Sequence, residues 1–430
     1  MSAALRVGIA GLGTVGAGVV KIVQEQAALL QARSGRSIEV TAVSARSKEK
    51  ERGIDLSNVA WVDDAAALAA RDDVDVVVEV IGGHEGVAKQ LCSDALSNGK
   101  HVVTANKALV AHHAKGLCQL ANDNNVSLWF EASTAGGTPI ISMIREGLTA
   151  NNFSQVAGIL NGTCNFILTT MEKTGRDYED VLQEADDLGY LEADPSLDID
   201  GIDTAHKLAI LSGLCFGHVP SLEPLPCLGI RHITLDDIRY AKELGYRIKL
   251  LGMASKTPDG VQQEVAPYLV PLTSPMANVD ASFNAIELLG DQVGRIYLEG
   301  KGAGPGPTAS AVVADLVGIA RGLDIPTLNY RDASLQAEPF VKQAADITYS
   351  YYLRLNVVNR AGVLAEATNI LKEAGASMKD VSQHAGEEGE PAQIIFITHK
   401  ASDAAIRDAL AKLEAMDSVL QAPQHIRIAS

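Results

Sequence analysis

The sequence predicts an α/β protein in three parts: a doubly wound parallel sheet, a second domain of α+β type, and a C-terminal βαββαβ unit. Three observations carry this. Short apolar strands alternate with helical stretches through the first third of the chain, the pattern turns irregular near Gly136, and it restarts cleanly near residue 349. Regular alternation of strand and helix means a parallel sheet covered on both faces.

Residues 6–10 read as a buried strand, followed by Gly11-Leu12-Gly13-Thr14-Val15-Gly16 and then Val19, Val20, Ile22 and Val23 at helical spacing. Further strand-length runs fall at 38–43, 74–80, 101–104 and 127–130, separated by helical stretches such as 64–70 and 87–97, which gives a first domain over 1–135. In that setting the glycine turn is a Rossmann-type dinucleotide site. Gly11 permits the turn, Gly13 lets the backbone approach a pyrophosphate, Gly16 lets helix and strand pack, and the helix N-terminus attracts the phosphates. The end of the second strand carries Ser44-Ala45-Arg46-Ser47-Lys48 where an NAD enzyme usually presents an acid to the ribose. A cation at Arg46 favours a 2′-phosphate, hence NADP, with NAD as the alternative.

The second domain is placed at 136–322, with strands at 156–160, 262–267 and 295–298 and helices at 166–173, 178–188 and 203–213. A Gly/Pro run at 300–307 feeds a helix over 308–321 that Gly322 stops; the helix is expected to pack back on the first domain. Residues 323–348 read as a linker. In 349–430, Leu353, Leu355 and Val357 alternate with Arg354 and Asn356, and Asn359-Arg360-Ala361-Gly362 turns the chain into a helix ending at Gly375. A hairpin over 381–384 and 393–398, a helix capped by Ser402, and a strand at 425–428 complete a ferredoxin-like order.

The chain has 430 residues, 47% of them hydrophobic, which suffices for several cores. Its net charge of -17 and pI near 5.0 argue against nucleic-acid or anionic-membrane partners, which select basic faces. Small molecules and further copies of the chain are the expected partners. Cys92, Cys118, Cys164, Cys215 and Cys227 are widely spaced, with no metal-type pairs, and no 18 apolar residues run together. These features and the absence of a leader-like start lead us to expect a cytoplasmic protein.

The most informative chemistry lies in 192–207. It places Glu192, Asp194, Asp198, Asp200 and Asp203 close together and sets Lys207 four residues after Asp203, on one helix face. An enzyme that grips an amino-bearing substrate and moves a proton at its hydroxyl would use carboxylates for the ammonium and a lysine for the proton. Lys107 lies just past a predicted strand end, on the side where such sheets bind ligands. His84, His112, His113 and His206 lack ligand spacing apart from one adjacent pair and read as packing or surface residues, so no transition metal is assigned.

Gly-Leu-Gly-Thr-Val-Gly at 11–16, Thr-Ala-Asn-Lys at 104–107, Phe-Glu-Ala-Ser-Thr-Ala-Gly-Gly-Thr-Pro from Phe130, Asn161-Gly162-Thr163-Cys164-Asn165 and the 192–207 block together resemble homoserine dehydrogenase over about 1–325. The terminal unit is similar to an ACT domain. The resemblance implies reversible NAD(P)-dependent oxidation of L-homoserine to L-aspartate 4-semialdehyde. Lys207 would be the acid/base, Glu192 and Asp203 would hold substrate with Asp198 in the same pocket, and Lys107 would be a second lysine there. It also implies a monovalent cation, usually sodium, on Glu131 and backbone carbonyls near Thr134, Gly136 and Thr138. Gly189 and Gly304 would lie near the coenzyme, threonine would act as effector at the turn holding Asn359 and Gly362, and the assembly would be a homodimer or homotetramer.

Two departures stand out. Cys164 replaces the family's more usual hydroxyl residue, and Asn359-Arg360-Ala361-Gly362 replaces the more usual Asp-Arg-Pro-Gly. The first keeps open an aldehyde dehydrogenase acting on the semialdehyde through a thiol. A catalytically silent nucleotide-binding regulator is the rival of another class.

Overall fold

The computed structural model describes residues 3–191, 194–223, 225–330, 348–385 and 387–429. Six strands, β1 (Leu5–Ala10), β2 (Ile38–Ser44), β3 (Ala60–Trp61), β4 (Val76–Glu79), β5 (His101–Thr104) and β6 (Leu128–Trp129), form a parallel sheet ordered β3-β2-β1-β4-β5-β6. Val76, Val77 and Val78 are all fully buried, as strands covered on both faces must be. The strand order reverses between β1 and β4, which opens a crevice at their C-terminal edge. β3 escapes sequence detection because it is two half-buried residues long.

Five antiparallel strands build the second domain: β7 (Phe153–Ile159), β8 (Tyr246–Thr257), β9 (Gly260–Pro271), β10 (Phe283–Gly290) and β11 (Gly294–Lys301), ordered β11-β10-β7-β8-β9. Helix Ile202–Phe216 lies across β7, β8 and β9, with Thr204 and Leu208 against Gly252 of β8. β8 and β10 were not expected. In β8 the obstacle is Lys249, buried inside the strand with Nζ donating to Asn165 Oδ1 (2.9 Å) and the Val279 carbonyl (2.6 Å). Burial lowers that ammonium to about 8, and a lysine there breaks the apolar run by which a buried strand is recognised. Helix Leu235–Glu243 adds to the expected elements, with Thr234 and Asp237 closing a capping box at its start.

The terminal unit contains β12 (Thr348–Val358), β13 (Met378–Ala385), β14 (Pro391–Thr398), β15 (Ala401–Ser402) and β16 (Gln424–Ile428), with helices Val363–Glu373 and Asp403–Glu414. Its four main strands order as β16-β12-β14-β13, with β15 on the end of β12. The unit is not separate from the second domain. β16 pairs in parallel with β9, Arg427 opposite Tyr268 and Ile428 opposite Leu269, so one sheet runs from β11 to β13.

That junction is polar and buried. Arg427 reaches Glu264 (3.3 Å) and Asp403 (2.6 Å), while Arg354 grips Asp237 with Nε on Oδ1 (2.7 Å) and Nη2 on Oδ2 (3.1 Å). Helix Pro305–Ala320 returns to the first domain, where Ala309, Val312 and Leu316 share a core with Val19, Val20 and Val23. It begins at Pro305 rather than at 308, because proline's fixed φ suits the first helical position. Of the stretch expected as a linker, 331–347 lie outside the described residues; Thr327 and Leu328 before them are buried. No described helix is long and apolar enough to cross a membrane.

Candidate active site

The glycine turn sits at the crevice. Gly11 has φ +102°, and a Cβ there would lie 2.6 Å from the Val80 carbonyl at the end of β4. A Cβ on Gly16 would collide with the Gly11 carbonyl, whereas one on Gly13 would meet nothing within 4 Å. Gly11 and Gly16 are thus set by internal packing and Gly13 by access. Leu12 lies in the turn, and Thr14 and Val15 open helix Thr14–Glu25, which Gly13 caps. Arg52 braces the turn, with Nε donating to the Leu12 carbonyl (3.0 Å) and its guanidinium over Trp61 at 5.6 Å. Arg46 is exposed just beyond β2.

Across the crevice, one carboxylate joins two lysines from different domains. Lys107 opens helix Lys107–Asp123, placed there by the Asn106 cap, which accepts the Leu109 N–H at 3.0 Å. Its Nζ lies 2.9 Å from Asp203 Oδ1. Lys207 donates to Asp203 Oδ2 (2.7 Å) and to the Leu160 carbonyl (2.7 Å). Gly201, with φ +84°, turns the chain into helix Ile202–Phe216 so that Asp203 and Lys207 share a face. Burial alone would raise the Asp203 carboxyl. The ammoniums of Lys207 and Lys107, with hydrogen bonds from Lys207 and Asn161, outweigh it and hold the group well below the ordinary carboxylate range.

Three supporting residues had no assigned role in the sequence. Asn161 follows β7 and caps helix Gly162–Thr174 by accepting the Cys164 N–H (2.8 Å); its Nδ2 donates to Asp198 Oδ1 (2.7 Å) and Asp203 Oδ2 (2.9 Å). Its place at the head of Asn-Gly-Thr-Cys-Asn was the available signal. Asn284 of β10 donates to the same Leu160 carbonyl that Lys207 uses, at 3.1 Å. Glu79, fully buried at the end of β4, accepts from the Ile81 N–H (2.8 Å), the Gly82 N–H (3.1 Å) and the Thr104 hydroxyl (2.6 Å), and so shapes the loop facing the glycine turn.

Glu192 lies outside the described residues. Asp194 accepts from Ser196, and Asp200 pairs with Arg231 at 2.6 Å, so the two acids left without a role in the sequence hold the loop's shape. Gly189, with φ +72°, turns the chain ahead of Tyr190, whose carbonyl accepts from Thr163 Oγ1 (3.1 Å). Gly304, with φ +116°, precedes helix Pro305–Ala320. Cys164 is fully buried and donates its S–H to the Asp198 carbonyl (3.2 Å). Burial, reinforced by Asp198 and Asp203, pushes that thiol far above its ordinary value and removes the thiolate a nucleophile requires.

Glu131 is buried, its carboxylate accepting from the Ile141 (2.9 Å) and Ser142 (2.6 Å) N–H groups. The hydroxyls of Thr134 and Thr138 are buried without a hydrogen-bond partner, and Gly136, with φ +54°, brings this loop against the backbone of Gly302. In the terminal unit, Asn359 holds the 387–390 turn, its Nδ2 donating to the Glu387 carbonyl at 3.1 Å. Gly362, with φ +94°, opens helix Val363–Glu373. A cavity of about 270 Å³ lies there, lined by Val358, Asn359, Arg360, Gly362, Leu364 and Gln383.

Comparison with known proteins agrees with this architecture. Family models described as "Homoserine dehydrogenase, NAD binding domain", "Homoserine dehydrogenase" and "ACT domain" match residues 11–131, 139–317 and 351–417. A homoserine dehydrogenase of Neisseria gonorrhoeae is 42% identical over 432 residues, covering 99% of each chain. A solved homoserine dehydrogenase from Thiobacillus denitrificans superposes with TM-score 0.93 at 41% identity, covering 99% of this chain and 98% of that one. A hyperthermophilic archaeal homoserine dehydrogenase in complex with NADPH gives TM-score 0.65 at 28% identity, covering 75% of this chain and 99% of that one.

Proposed function

The chain belongs to the homoserine dehydrogenase family, NAD(P)-dependent oxidoreductases, and carries an ACT domain; on that premise we propose how its residues divide the work. Lys207 is the acid/base at the reacting oxygen, and the observation that carries this is the Lys107–Asp203–Lys207 bridge across the crevice. Asp203, with Asp198 and Glu192, receives the substrate ammonium, and Lys107 adds a second cation beside the reacting centre. Bound NAD(P) supplies the hydride acceptor. The 11–16 turn, Lys107, Gly189 and Gly304 border its place, and Arg46 gives NADP the advantage over NAD. Lys207 takes the hydroxyl proton in oxidation and returns it in reduction.

A monovalent cation, sodium by preference, belongs on Glu131 and the carbonyls near Thr134, Gly136 and Thr138. The residues offer such an ion hard oxygens: a buried carboxylate at Glu131 and, on the same loop, two buried hydroxyls at Thr134 and Thr138 with no hydrogen-bond partner. An ACT domain typically binds an amino-acid effector, and threonine at the Asn359–Gly362 turn is the effector we propose, in a cytoplasmic homodimer or homotetramer. A single assay tests this reading: homoserine oxidation with NAD and with NADP, with sodium exchanged for a larger cation, and with threonine added. Homoserine-dependent NADP reduction, sodium stimulation and threonine inhibition are expected. Lys207→Ala should abolish turnover while coenzyme affinity stays near that of the unaltered chain; a mutant turning over at the original rate would remove Lys207 from the chemistry.

A further inference from the structure

Four histidines scattered in sequence, read there as packing or surface residues, gather beside the lysine pair. His84 follows β4, His112 and His113 lie on helix Lys107–Asp123, and His206 stands between Asp203 and Lys207 on helix Ile202–Phe216. The His206 and His112 rings meet edge to face with centroids 5.3 Å apart, and His112 stacks on His84 at 4.4 Å. His113 lies 6.2 Å from each of those two. His206 is half-buried while His112 and His84 are exposed, so the file leads from the buried Asp203 to solvent. Among the described residues no three His, Cys, Asp or Glu side chains converge as a metal ion requires.

We propose that His206, His112 and His84 form a proton conduit between the Lys107–Asp203–Lys207 site and solvent. This rests on the alcohol-oxidation reading above. Oxidation of a primary alcohol by NAD(P) moves a hydride from carbon to the coenzyme and frees one proton from the hydroxyl. Lys207 is 9% exposed, so its amine has little contact with solvent of its own. The lysine takes the proton and passes it on; each imidazole accepts on one ring nitrogen and releases from the other, and the last proton leaves to water while the amine is restored. Passage from ring to ring requires rotation of an imidazole or a bridging water at each step. In reduction the same route runs inward.

Burial and the neighbouring groups keep the inner rings of the file uncharged at rest. Burial, then the repulsion that His112 exerts when protonated, pushes the His206 ring down to about 4, against the pull of Asp203 and with help from Lys107. The His112 ring is lowered too, by burial and by His84 and His113, with Glu85 opposing. Both rings therefore rest neutral, each with one nitrogen able to accept. At the outer end Glu85 lies 2.8 Å from His113 and 3.0 Å from Lys89, a carboxylate that draws protons outward.

The test follows NADPH absorbance and a pH-indicator dye together in rapid mixing, in weak buffer, with the full chain, homoserine and NADP. In the unaltered chain the proton should appear in step with NADPH. In His206→Asn, and in His112→Ala, whose exposed ring makes a folding defect less of a concern, proton release should lag NADPH formation by at least about tenfold. Added free imidazole should close the lag. Proton release in step with NADPH in both variants, or a lag that imidazole leaves untouched, would overturn the conduit. No NADPH from the unaltered chain would instead sink the homoserine reading and the conduit with it.

Discussion

Asn161 has its amide turned one way only, because Oδ1 accepts the Cys164 N–H at 2.8 Å and leaves Nδ2 to face Asp198 and Asp203. It therefore donates to both carboxylates without supplying charge, and its bond to Asp203 helps hold that carboxyl low. Asn161→Asp keeps the shape and replaces a shared donor with a third acid. We expect kcat/KM for homoserine to fall on the order of tenfold to a hundredfold, the equivalent of losing a hydrogen bond to a charged group, with coenzyme affinity unchanged. Steady-state kinetics beside a coenzyme titration decide it, and unchanged kcat/KM would refute the role. The charged members of this site were legible in the sequence, since Asp203 and Lys207 four residues apart declare one helix face. Asn161 was not, because an uncharged cap reads the same whether or not anything lies opposite it.

Among the elements, the segment before helix Leu235–Glu243 braces the loop that carries Asp198 and Asp200. The Ile230 N–H donates to the Ile199 carbonyl (3.0 Å), Arg231 holds Asp200, and the Leu228 N–H and Val265 carbonyl tie the segment to β9 (2.8 Å). Gly229 makes the approach possible, since a Cβ there would collide with the Ile199 carbonyl and lie 2.5 Å from Asp200 Cα. Gly229→Ala should displace Asp198 and Asp200, raising KM for homoserine by about tenfold or more while NAD(P) binding, which belongs to the other domain, stays unchanged. Measuring both constants separates this from general unfolding, which would lower both affinities. Nothing in the local sequence marks Gly229. Its constraint comes from backbone some thirty residues earlier in the chain, whereas Gly11 and Gly16 sit in a motif whose spacing carries its own explanation.

At the scale of the whole molecule, the sheet that joins β9 to β16 couples the ACT unit to the catalytic domain through buried charge. His425, beside Arg427, is pushed down to about 4 by burial and by that guanidinium, and His206 reaches about 4 in the catalytic crevice. Both folded values lie below the ordinary 6.5, so between 6.5 and 4 the unfolded chain holds protons that the folded chain does not. Stability contributed by these groups is present above 6.5 and lost as the pH falls through that window, on the order of 1–2 kcal/mol per group. Denaturant unfolding at pH 7.5 and at pH 5 should show the loss, and His425→Gln should reduce it; equal stability at both values would contradict the assignment.

The sequence by itself determined the three-part organisation, the glycine turn and the Asp203–Lys207 face, because each rests on a local period or spacing that neighbouring residues specify. Only the tertiary structure decided the rest: the bridge from Lys107 to Asp203, the gathering of His84, His112 and His206, and the single sheet running through β9 and β16. Each joins residues distant along the chain, so what fixes it is the packing of whole elements against one another, a long-range property that no local pattern of residues encodes.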